Sequence, residues 1–150
     1  MTTFQVPQRM NLATVAPKVF KAVLALDAAA REGLDPVLLE LVQIRASQIN
    51  RCAYCIDYHT GDARKAGESE ERIYQLSAWE DAGVYTERER AALALTEAVT
   101  RLPDGVPDAV YDEAARHFGE EELAHLIALI FTVNAWNRMN VTTRKTPGTA

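Results

Sequence analysis

Sulfur and imidazole are scarce in this chain: its 150 residues include two cysteines and three histidines. Aromatic residues amount to 7%, with seven glycines and six prolines. No run of alternating β-branched residues argues for a strand. No block of five or more like charges is present, so there is no tail to tether a partner electrostatically. The net charge of -5 and pI near 5.2 exclude the basic stripe by which proteins grip nucleic acid. The start, "MTTFQVPQRMNLATVAPKVF", lacks the charged and then apolar run of a secretory leader. The longest apolar segment, "LAHLIALIFTVNAW", is interrupted by His125 and Asn134 and is too short to span a bilayer. The chain therefore reads as cytoplasmic, with neither membrane nor nucleic acid as partner. In that compartment lone structural disulfides are rare, so a cysteine pair signals redox or metal chemistry.

What is present is helix-forming sequence, rich in Ala and Leu, of a length that suits a single all-α domain over residues 1–150. A first helix is expected from Pro17 to about Arg31, with Gly33 beyond its end. A second opens with Asp35 as cap and Pro36 behind it. It carries "VLLELVQIRASQI", and its first two turns, with Val37, Leu38, Leu39, Leu41, Val42 and Ile44, are apolar nearly all round, the mark of a buried helix. Asn50 ends it, and a third helix runs from near Cys52 to Ala66, closed by Gly67. A fourth is expected over Ser69 to Trp79. Thr86 and Glu89 form a capping box for a fifth. "DAVYDEAARHF" supplies a sixth, and a seventh runs from Glu120 to about Met139. The terminal "TTRKTPGTA" is expected to fray.

Both cysteines fall in "NRCAYCIDYH", Asn50 to His59. Cys52 belongs in or just before the first turn of its helix, where orphan amides and the helix dipole favour a thiolate. In a Cys-x-x-Cys motif a thiol pKa of about 8.5 falls to roughly 3.5–7.5. Helical spacing puts Cys52 and Cys55 on one face, within reach of a disulfide. His59 follows one turn later on that face, placed to take a proton from a thiol or return one to a leaving group. Glu40 is the one carboxylate in the apolar start of the second helix. A helix hairpin would bring it to His59, where it could orient the imidazole.

The string Glu40, Cys52, Cys55, His59, with its spacing, resembles the active-site signature of the alkyl hydroperoxidase D-like family within the carboxymuconolactone decarboxylase superfamily. The resemblance is specific across "ELVQIRASQINRCAYCIDYHTGDARKAG" and looser through "YTERERAALALTEAVTR" and "NAWNRMNVTTR". It implies an all-α fold, homotrimers or trimer-based hexamers, and a thiol-dependent peroxidase. By that resemblance Cys55 attacks the peroxide and becomes a sulfenic acid, and Cys52 condenses with it to a disulfide. His59 and Glu40 relay protons. A dithiol protein then reduces the disulfide. No cofactor is needed, because sulfur carries the two electrons. Some members have a histidine directly before the second cysteine, where this chain has Tyr54, a poor base at neutral pH.

Other readings stand beside this one. Zinc would use the cysteines and a histidine, yet structural zinc wants four ligands and no second pair is visible. Lactone decarboxylation has no obvious use for adjacent thiols. A disulfide reductase, a redox adaptor, or a non-catalytic redox-sensing oligomer would each use the pair differently. His117 and His125 have no partners at chemical spacing. Trp79, Trp136 and Phe131 read as core or subunit contacts, and Arg45 and Asp57, close to the motif, as salt-bridge partners or solvated charges. The last helix is apolar on more than one face, which favours an oligomer.

Overall fold

The structure is a computed structural model describing residues 1–148, and among these there is helix and no strand. The elements are α1 (Leu12–Val15), α2 (Pro17–Ala30), α3 (Pro36–Ile49), α4 (Ala53–Lys65), α5 (Glu70–Gln75), α6 (Glu87–Thr100), α7 (Asp108–His117) and α8 (Glu120–Thr143). Helix starts follow local chemistry. The Asp35 carboxylate accepts from the Val37 and Leu38 amides at 3.0 and 2.9 Å, with Pro36 in the first turn. A cap of this kind is worth about 1 kcal/mol. Thr86 and Glu89 close the expected capping box. Gly67, at φ +98°, ends α4 in the left-handed conformation, and its amide and that of Glu68 bond back to Arg64 and Ala63.

Helix α3 is the centre of the molecule and packs on α4, α6 and α8. Every residue from Leu38 to Ser47 is buried, including Glu40, Gln43 and Arg45. One apolar cluster joins Leu38, Leu39 and Val42 to Leu95, Leu126 and Ile130. The other joins Leu41 and Ile44 to Leu76, Trp79 and Leu93. A helix with a core on both flanks has no face to leave polar, which accounts for its apolar sequence. Each fully buried Leu or Ile contributes about 1.5–3 kcal/mol.

Local differences from the sequence expectation have physical causes. The helix expected over Ser69 to Trp79 breaks after Gln75 into a 3₁₀ segment, Leu76–Asp81, with Ala78 outside helical geometry. Three residues per turn bring Leu76 and Trp79 to one side, and both are buried. A short α1, not expected, is capped by the Asn11 side chain. Helix α8 continues past Met139 to Thr143, so the segment expected to fray is helical at its start. The Arg9 amide caps it by donating to the Thr143 carbonyl at 2.8 Å. Thr149 and Ala150, the end of that segment, lie outside the described residues.

The apolar faces of α8 are largely covered from within the chain: Leu126, Leu129, Ile130 and Val133 are fully buried, and Phe131 and Val141 remain exposed. Uncovered apolar surface lies instead on α2, at Val19, Leu24 and Leu26. Among the described residues no helix is long and apolar enough to cross a membrane.

Candidate active site

Cys52 closes one helix and opens the next. Its amide donates to the Ser47 carbonyl at 3.0 Å, sealing the end of α3. Arg51, at φ +56°, makes the left-handed turn that permits this, at a cost of about 1–2 kcal/mol for a residue with a Cβ. The Cys52 sulfur is then the N-cap of α4 and accepts from the Cys55 amide at 3.3 Å. The two sulfurs are joined in a disulfide, with Cα atoms 5.3 Å apart. Both cysteines are buried.

His59 and Glu40 meet across the α3–α4 hairpin. The ring Nδ1 lies 2.9 Å from Glu40 Oε2. A carboxylate only accepts, so Nδ1 is the protonated nitrogen. Glu40 is held on every side: Gln43 donates to Oε2 at 3.3 Å and Arg31 to Oε1 at 3.4 Å. Arg31 also donates to Gln43 at 3.0 Å and to Asp27 at 2.7 Å, and the Trp136 indole donates to Asp27 at 3.2 Å. Burial works against the Arg31 charge, but the hydrogen bond and attraction from Asp27, then those from Glu40, hold its pKa above the ordinary value. No polar side-chain atom among the described residues is both fully buried and unbonded. His59 Nε2, which has no hydrogen-bond partner among the described residues, is therefore reachable from outside.

It is reached through a cavity of about 170 Å³ between α2, α4 and α8. Cys55, His59 and Asn140 are its buried residues, and Phe20, Leu24, Tyr54, Tyr58, Trp136 and Met139 supply the apolar and aromatic wall. Cys55 lines this cavity and Cys52 does not. Burial, then the nearby Asp62, push the Tyr58 phenol above its usual pKa, so it faces the cavity neutral. Tyr54 stacks loosely on Tyr58, with centroids 6.1 Å apart.

Several residues at this place are not among those expected from the sequence. Asn140 donates to the Cys55 sulfur at 3.5 Å across 85 residues of chain. Behind it, Asn50 bridges Asn134 and Asn137 at 2.9 and 2.8 Å, and Asn137 donates to Ser47 at 2.9 Å. The asparagines of "NAWNRMN" are spaced by three, a helix-face repeat that would have marked a polar stripe. Trp136, expected in the core or at a subunit contact, lines the cavity instead. Trp79 is core, as expected. Arg45 pairs with Glu97 at 2.8 Å. His117 and His125 lie away from the cavity, on Glu113 and the Ala30 carbonyl. Among the described residues no three His, Cys, Asp or Glu side chains converge as for a metal.

Residues 17–98 match the carboxymuconolactone decarboxylase family. The chain belongs to that family. It is 40% identical to the uncharacterized protein YdfG of Bacillus subtilis, over 89% of this chain and 92% of that protein. YnjA of Escherichia coli, also uncharacterized, is 32% identical over 73% of this chain, which spans 60% of the length of YnjA. In structure the chain resembles a protein of unknown function from Agrobacterium tumefaciens whose name links it to the antioxidant defence protein AhpD. That likeness has a TM-score of 0.91 and 38% identity, and covers 95% of this chain and all of the other. The debrominase Bmp8, solved with 2,3,4-tribromopyrrole, shares the fold at TM-score 0.79 and 21% identity, over 89% of this chain and 72% of Bmp8. The all-α, AhpD-like expectation therefore holds.

Proposed function

We propose that the protein is a thiol peroxidase that reduces hydrogen peroxide or organic hydroperoxides through a Cys52–Cys55 dithiol cycle. The observation that carries this is the asymmetry of the pair: Cys55 lines the cavity, beside an imidazole whose Nδ1 is tied to Glu40, while Cys52 does not line it and caps the helix. A peroxide entering the cavity meets Cys55 first.

In the first step the Cys55 thiolate attacks one peroxide oxygen. The S–O bond forms as the O–O bond breaks. Sulfur loses two electrons, the peroxide gains them, and the alkoxide or hydroxide leaves with a proton from the imidazolium of His59. Glu40 keeps the ring turned and offsets its positive charge in that state. Asn140 is placed to hold the sulfur by its amide. In the second step Cys52 gives up its proton and its sulfur attacks the sulfenic sulfur; the S–S bond forms as the S–O bond breaks, and the hydroxyl takes that proton and leaves as water. An external dithiol, a reductant protein in the scheme we favour, returns two electrons by exchange. Both sulfurs are buried, so that dithiol must enter along the cavity or bind where α4 opens.

The test is a thiol count on the reduced protein before and after one equivalent of cumene hydroperoxide. Wild type should lose both thiols to an intramolecular disulfide, Cys52→Ser should trap a sulfenic acid at Cys55, and Cys55→Ser should keep its thiol. Survival of both wild-type thiols sinks the proposal and returns lactone decarboxylation or a purely structural disulfide to the front.

A further inference from the structure

Among the described residues, one cation lining the cavity has no carboxylate partner. Two cations line it, Arg31 and Lys145. Arg31 is claimed by Asp27, Glu40 and Gln43. Lys145 pairs with no carboxylate among the described residues, and its ammonium rests over the Tyr54 ring, 4.5 Å from the centroid. Its position is fixed by the backbone. Arg144 ends α8 in the left-handed conformation at φ +55°. That turn lets the Lys145 amide donate to the Asn140 carbonyl at 3.0 Å, as in a Schellman closure. Arginine at such a position costs about 1–2 kcal/mol that glycine would not. The outcome is a lysine folded back to the cavity, next to the residue that touches the Cys55 sulfur.

Burial orders the cavity from floor to rim. Cys55, His59 and Asn140 are buried, Tyr54 and Lys145 are half-buried, and Tyr58 is exposed. A ligand thus meets sulfur on the buried floor, aromatic walls along its body and, above that floor, an ammonium over the Tyr54 ring. The volume limits the body. An apolar protein cavity of roughly 150 Å³ accepts benzene, and this one is about 170 Å³.

We infer that the cavity takes a single-ring organic molecule with an anionic group, a carboxylate, at the end remote from the reacting oxygens. The natural substrate class is then an aryl-bodied hydroperoxide acid. This deepens the peroxidase proposal and rests on it for the reacting group, though the seating of the ring and carboxylate does not depend on peroxide chemistry. The Arg31 charge is already offset by Asp27 and Glu40, so the carboxylate is directed to Lys145.

The experiment uses unreactive probes on the oxidised protein: 4-isopropylbenzoate and its neutral counterpart, 4-isopropylbenzamide. Binding is followed by the indole N–H resonance of Trp136, with that of Trp79 as an internal reference. The benzoate should bind about fivefold tighter than the amide, as a partly exposed ion pair near 1 kcal/mol gives. In Lys145→Gln the two should bind alike. Equal binding in wild type, a preference that survives Lys145→Gln, or no binding of either would each overturn the assignment. Benzoate bound as expected, with thiols that resist the matching hydroperoxide, would leave the ligand class standing and remove the peroxidase proposal.

Discussion

The imidazole of His59 and the carboxylate of Glu40 stand 2.9 Å apart, both buried, 19 positions apart in the chain. The pair commits Nδ1 and leaves Nε2 as the nitrogen that serves the cavity. Replacing His59 with Gln keeps a polar side chain of similar reach but removes the base. Peroxide-driven thiol loss should slow by roughly 100-fold or more, while chemical oxidation of the two thiols by diamide should still close the disulfide. Glu40→Gln should slow the peroxide step less, by roughly 10–100-fold, the range for losing a residue that orients a working histidine. A matching loss in the diamide reaction would mean that the hairpin had been disturbed rather than the proton transfer.

Asn140 should set the acidity of Cys55. With Cys52→Ser in place, a single thiol remains, and its alkylation by iodoacetamide can be followed against pH. An added Asn140→Leu removes the amide donor at similar volume. The midpoint should move up by on the order of one pH unit, since a hydrogen bond of about 1 kcal/mol to the charged form is lost. An unmoved midpoint would reduce Asn140 to packing.

Asn50 holds the floor beneath the site by donating to two buried acceptors. Asn50→Ala should destabilise the oxidised protein by about 1–3 kcal/mol, because the Asn137 carbonyl oxygen is left without a donor. Urea unfolding with an unchanged slope would measure it.

Tyr85 gives the fold an alkaline limit. It is buried, its hydroxyl donates to the Arg72 carbonyl, and burial pushes its pKa from 10.0 to about 12 despite the nearby Arg72 charge. The folded state therefore favours the neutral phenol. The stabilisation is fully present below the unfolded value of 10.0 and is lost as pH rises toward about 12. Tyr85→Phe should flatten the fall in stability across that window, and it should remove a late-titrating phenol from the tyrosinate absorbance of the wild type.

The elements whose beginnings carry their own chemistry could be read from the sequence. Asp35 with Pro36, Thr86 with Glu89, and Gly67 each satisfy or release backbone groups within a few residues, so their signals are local. The quartet Glu40, Cys52, Cys55 and His59 was legible for a related reason: it sits on one helix hairpin, and helical periodicity relates its members once the turn is granted. Asn140, Trp136 and Lys145 were not legible, because α8 reaches the site only through packing on α2, α3 and α4. The break at Ala78 was hidden as well. Propensity favours continuous helix there, and the burial of Leu76 and Trp79 overrides it.

Because Cys52 supplies the cap of α4 with sulfur rather than with oxygen, the helix terminus shares an atom with the redox couple. In the disulfide that sulfur is a weak acceptor for the Cys55 amide; as a free thiolate it is a strong one. Each transfer of two electrons thus retunes one backbone hydrogen bond at the start of a helix. The Cys55 amide resonance is a built-in electron counter, and it can be read without any added probe.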